Sequence, residues 1–157
     1  ETMKTVLELV SEDQHHHLLS VQDIMERTPL HSACEDDSSA VVLEVIMRLV
    51  TSEQTRYKLL QLTDMRGFTP LHNAAEYNAT QAIQIIADFE SSHHLMHLLT
   101  IKGWFGLTPV QLAAISGKQE AVKILHDYRS TALIDIALQQ TDYTGTANME
   151  ANNNVIC

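Results

Sequence analysis

At 157 residues with 45% apolar content, the chain is long enough to bury a core, and its formal net charge of −10 repels phosphate backbones, which argues against nucleic acid as a partner. Its uninterrupted apolar runs are only a few residues long, as at residues 40–43, far short of the roughly 20 that a bilayer span needs, so no direct membrane insertion is expected. Two cysteines, Cys34 and Cys157, make no disulfide framework and fit a reducing, cytoplasmic setting.

The chain opens on Glu1 without an initiator Met, which suggests a piece of something longer. Charge is unevenly spread. Residues 1–44 carry ten acids against Lys4 and Arg27, and hold −8 of the total. A basic partner is therefore favoured at that end.

In chain order, Ser11 with Gln14 reads as a capping box opening a helix. The pair Leu18-Leu19 follows, then Asp23, and then Thr28-Pro29-Leu30-His31, a helix start in which Thr caps and Pro occupies the first turn. Small residues Ala33-Cys34 and an apolar helix over residues 41–50 complete the unit. The same order returns: a capping box at Thr51 and Gln54, Leu59-Leu60, Asp64, Thr69-Pro70-Leu71-His72, Ala74-Ala75, and a helix over residues 82–89. It returns again as Leu98-Leu99, Gly103, Thr108-Pro109-Val110-Gln111, Ala113-Ala114, and a helix over residues 121–128. Thr28 and Thr69 are 41 residues apart and Thr69 and Thr108 are 39 apart, while each Leu pair and each Asp or Gly keeps a fixed offset from its Thr. Linked features at constant offsets mark an internal repeat.

Thr-Pro-Leu-His-x-Ala resembles the ankyrin repeat, and the match is closest at residues 64–75. The resemblance covers residues 23–128. It implies an all-α repeat solenoid with short hairpin fingers, in which His31 and His72 tie one repeat to the next hairpin, with Gln111 able to take the same role. The domain reading is one stack: a partial repeat over residues 1–22, repeats over 23–63, 64–102 and 103–141, and a degenerate segment over 142–157. In the flanks, residues 5–10 resemble the outer helix of a preceding repeat, and residues 142–145 resemble a following hairpin. Ankyrin units run about 33 residues; these are longer, and the excess at residues 11–22, 51–63 and 90–102 predicts an extra linker helix in each. Armadillo and HEAT repeats share this unit length, but the Thr-Pro-Leu-His fingers argue against them.

No nucleophile triad, phosphate-binding Gly loop or paired-Cys motif is present, so no enzyme and no cofactor are expected. Nine histidines raise a metal hypothesis. His93 and His97 stand at i, i+4, but no Cys or carboxylate is read at ligand spacing beside them, and no metal site is predicted. Glu35-Asp36-Asp37 lacks the alternation and internal Gly of a calcium loop.

The resemblance instead implies a non-catalytic module that binds a partner protein through hairpin tips and inner-helix ends. The alternative is the cytosolic ankyrin segment of a larger membrane protein, such as a channel of the transient-receptor-potential type. Carried over position by position, the contacts are Met25, Arg27, Glu35 and Asp36; Met65, Arg66, Phe68, Glu76 and Tyr77; and Trp104, Phe105, Leu107 and Ile115. Trp104 either contacts the partner or packs against Leu98 or Leu99. The expected ligand is a protein segment that is basic and partly hydrophobic.

Overall fold

The computed structural model describes residues 11–153, and the side chains of residues 11–141. The expected helix over residues 5–10 and Cys157 lie outside these. Among the described residues the regular structure is entirely helical: α1 (Glu12–Leu19), α2 (Pro29–Ala33), α3 (Ala40–Leu49), α4 (Glu53–Leu60), α5 (Pro70–Glu76), α6 (Thr80–Phe89), α7 (Ser92–Thr100), α8 (Pro109–Ile115) and α9 (Gln119–Asn153), with 3-10 turns at Asp37–Ser39 and Trp104–Gly106. None of these helices is long and apolar enough to cross a membrane.

Three short helices start on the repeated Thr-Pro. Thr28, Thr69 and Thr108 are extended cap residues, and each forms a capping box with His31, His72 or Gln111 at the third helical position. These helices pack in sequence, α2 on α5 and α5 on α8, and so do the helices behind them, α3 on α6 and α6 on α9. Close packing is possible because the facing residues are small: Ala33, Cys34, Ala74, Ala75 and Ala113 are buried. The second layer supplies Leu43, Ile46 and Met47 from α3 and Ala82, Ile83 and Ile86 from α6. In α6 the buried stripe includes Ile83, while Ile85 and Phe89 are only half-buried at its margin.

The extra helices exist as α1, α4 and α7. Their caps are Ser11, Ser52 and Ser91. Thr51 is not a cap: the Ser52 hydroxyl accepts from the Thr55 amide, and the Thr51 hydroxyl donates to Glu12 of the preceding linker helix. The Leu pairs seal the linker helices to the core, with Leu59, Leu60, Leu98 and Leu99 buried. The first pair is split, since Leu19 is buried and Leu18 is 44% exposed.

The third outer helix corrects the sequence reading. No turn forms at residues 142–145, and α9 runs unbroken from Gln119 to Asn153. Asp142 follows helical residues, whereas the hairpins at Asp23, Asp64 and Gly103 are each preceded by non-helical ones, and one Gly in a helix costs only about 1 kcal/mol.

Candidate functional site

Each Thr-Pro is preceded by a tight hairpin closed by one backbone bond: Asp23 N to Arg27 O, Asp64 N to Phe68 O, and Gly103 N to Leu107 O, all 2.9 Å. In the first two, the Asp carboxylate caps the turn from inside. Asp23 Oδ1 accepts from the amides of Arg27 (2.9 Å) and Met25 (2.8 Å), which hold its carboxyl below the usual range. Asp64 Oδ1 accepts in the same way from Arg66 (2.8 Å) and Phe68 (3.0 Å). The third copy has Gly103 because there is no room for more: a Cβ there would lie 2.2 Å from the Phe68 ring. The turns require positive φ at one position, which Glu26 (60°), Gly67 (69°) and Gly106 (68°) supply.

The tips are also bonded to one another. Met65 N donates to Met25 O (3.0 Å) and Trp104 N donates to Arg66 O (2.9 Å). His31 Nε2 reaches the Phe68 carbonyl (2.8 Å) and His72 Nε2 the Leu107 carbonyl (3.0 Å), while each Nδ1 accepts from its own Thr amide. These are the ties the resemblance implies. Burial holds both imidazoles below their ordinary pKa, His72 down to about 4. Gln111 keeps the local half of the pattern, accepting from Thr108 N at 3.0 Å.

The surface so organised carries large exposed apolar side chains. Met25, Met65, Tyr77, Trp104 (53% exposed), Phe105 (92%) and Ile115 (71%) all face solvent. The Trp104 ring is about half exposed and meets Phe105 edge-on at 6.5 Å. Phe105 itself sits at φ 59°, a left-handed conformation that is costly for an L-residue with a side chain. Arg27 and Arg66 are half-buried and already paired, Arg27 with Asp23 and Glu35, Arg66 with Asp64 and Glu76. Asp36 is exposed, but its carboxylate accepts from Ser38 Oγ and from Ser39 N at the start of a 3-10 turn. Leu107 is half-buried.

Phe68 must be removed from the surface set. It is 5% exposed, its ring is stacked on His72 at 5.2 Å, and Arg66 lies over it at 4.5 Å. One surface residue was missed, Ile24, which occupies the position of Met65 and Trp104 and is exposed. Counting back four from each Thr would have found it.

A second grouping lies among the linker helices. His93 and His97 do not come together as a pair; His93 is exposed and His97 Nδ1 meets the Tyr57 hydroxyl at 2.5 Å. The histidine that gathers acids is His94. Its Nδ1 lies 3.1 Å from Glu53 Oε1 and 3.2 Å from Glu90 Oε2, and its ring stacks on Tyr57 at 3.8 Å. The Glu90 side chain is fully buried, and burial pushes its carboxyl up to about 7 although Arg56 stands nearby. Cys34 is buried, and its thiol is pushed well above the reactive range by desolvation.

Compared with known proteins, the chain matches no family model and no curated sequence.

Proposed function

We propose that the chain is a non-catalytic, ankyrin-type binding module, cytoplasmic in setting, that takes a basic and partly apolar segment of a partner protein across its hairpin tips. One observation carries this reading. At the same hairpin positions in three successive units, large apolar residues stay in solvent, and backbone bonds from Met65 to Met25 and from Trp104 to Arg66 hold them in one line. An aligned row of exposed Met and aromatic side chains is costly to keep in water and has the composition of an interface centre.

Charge gives the row a direction. Its first unit lies in the segment that holds most of the negative charge, with Glu26 and Asp36 exposed, whereas its third carries Trp104, Phe105 and Ile115. A segment with Lys or Arg at one end and large apolar residues at the other fits both halves. The buried imidazoles are engaged at both nitrogens, each Nδ1 by its own Thr and each Nε2 by the carbonyl of the next hairpin, which favours a structural role.

Panning random peptides against the immobilised chain tests the reading. Enriched peptides should combine basic with aromatic or aliphatic residues, lose affinity as salt rises, and fail to bind Trp104→Ala. Enrichment of acidic peptides, or binding indifferent to both Trp104→Ala and Phe105→Ala, would refute it.

A further inference from the structure

We infer that Glu53, Glu90 and His94 form a zinc-binding site that staples two successive linker helices together. The three donors come from two units: Glu53 opens α4, while Glu90 and His94 stand at i, i+4 across the start of α7. The imidazole nitrogen is 3.1 Å from one carboxylate oxygen and 3.2 Å from the other. Ligands about 2.0–2.1 Å from a tetrahedral zinc stand roughly 3.3 Å apart, so the two imidazole–carboxylate separations already approach the coordination edge. The ligand atoms of all three lie within 4.8 Å of one another. Water would complete a fourth position on the exposed Glu53 side.

An independent feature calls for a cation at this place. Glu90 Oε1 is buried and accepts no hydrogen bond. Arg56 is the nearest positive group, but its Nε is 3.7 Å away and makes no hydrogen bond either, because the guanidinium is turned to backbone carbonyls. Its Nη1 donates to Val50 O (2.6 Å) and Thr51 O (3.2 Å), and its Nη2 to Phe89 O (3.4 Å). The fully buried carboxylate is thus paired with Arg56 only at 3.7 Å and without a hydrogen bond, and a divalent ion on its Oε2 would add the direct contact it lacks.

Support around the ligands suits the assignment. Tyr57 stacks on the His94 ring with planes 7° apart, and the Tyr57 hydroxyl is held in turn by His97. The ring that must point Nδ1 at the metal is therefore fixed in its plane, as outer-shell partners do in metal sites. The donor set chooses the ion: one imidazole with two carboxylates suits zinc, whereas calcium and magnesium take oxygen and the absence of thiolate disfavours copper(I).

Titration of the full chain with zinc chloride, followed by calorimetry and thermal unfolding, tests the site. One zinc should bind per chain and raise the unfolding temperature, while magnesium and calcium should not. Glu53→Gln, at an exposed helix start where folding is not at stake, should weaken zinc at least about tenfold, as should His94→Ala. His93→Ala and the triple change of His15, His16 and His17 to Ala should leave affinity unchanged. The inference is overturned if zinc shifts no unfolding transition, or if its affinity survives Glu53→Gln and His94→Ala but falls with His15–His17, which would place the ion on the histidine run.

Discussion

His72 and Leu107, 35 residues apart, are joined by a 3.0 Å hydrogen bond from a buried imidazole to a backbone carbonyl, while the other ring nitrogen accepts from Thr69 N. The bond fixes the tautomer: Nδ1 accepts, so Nε2 carries the proton and the ring is neutral. One side chain thereby closes its own helix start and holds the next hairpin. A second proton would have to displace the Thr69 amide in a site from which water is excluded.

That relationship predicts acid sensitivity. His72 has a folded pKa of about 4 against about 6.5 when unfolded, so the unfolded chain binds protons more readily. Its contribution is fully present above about pH 6.5 and is lost as pH falls towards 4, by about 3 kcal/mol for this residue alone. His31 adds in the same direction. His72→Gln, which copies Gln111 of the third unit, should remove much of this slope at a cost of about 1–2 kcal/mol at neutral pH. Urea unfolding at pH 7.5 and 5.0 measures both; an unchanged slope in the variant would show that other groups control acid unfolding.

Phe105 should separate binding from folding. Its ring is 92% exposed and its backbone is left-handed, so Phe105→Gly relieves strain of about 1–2 kcal/mol while adding the chain entropy of glycine. Thermal stability should hold or rise, and affinity for a selected peptide should fall about tenfold or more. A loss of several kcal/mol in stability would instead mean that the ring is part of the core.

The helices, their order and the repeat were legible because their signals are local: a Thr-Pro start, small residues within the next turn, a Leu pair at a constant offset. Even the linker helices announced themselves, though Ser52 was passed over for Thr51, which lies one residue too early for the 41- and 39-residue spacing that links Ser11, Ser52 and Ser91. What could not be read depends on a second unit. Phe68 is buried because Gly103, in the next hairpin, leaves space for its ring. Glu90 and His94 are visibly i, i+4, but the approach of Glu53 depends on how two linker helices are placed, which no local pattern encodes. The unbroken α9 was missed for the opposite reason: an Asp-x-x-Gly string was weighed without the break in the helix that precedes each true hairpin.

Asn78 is a tie of the same between-unit kind. It holds φ 57°, and its Oδ1 accepts from the amide of Ala121, one of the unpaired donors in the first turn of α9, as Asp37 does for Gln81 in α6. Asn78→Ala should cost about 2 kcal/mol, roughly half from the lost cap and half from the left-handed backbone. Asn78→Gly keeps the backbone free and should cost about half as much. Equal losses in chemical unfolding would assign the whole effect to the cap.

The Leu pairs give the sharpest contrast between a repeated pattern and its environment. Leu98 has no exposed surface, beneath α7, and Leu98→Ala should cost about 2–5 kcal/mol through lost burial and the cavity left behind. Leu18 occupies the corresponding place in the first linker helix but is 44% exposed, and Leu18→Ala should stay within about 0.5 kcal/mol. Denaturant midpoints of the two variants decide the matter. If both are silent, the linker helices lie loosely on the stack, and a metal bridging α4 and α7 would gain importance as their anchor. A large loss at Leu98 with none at Leu18 means that α7 is built into the core by packing, and zinc would then tighten a helix pair that already has a fixed place.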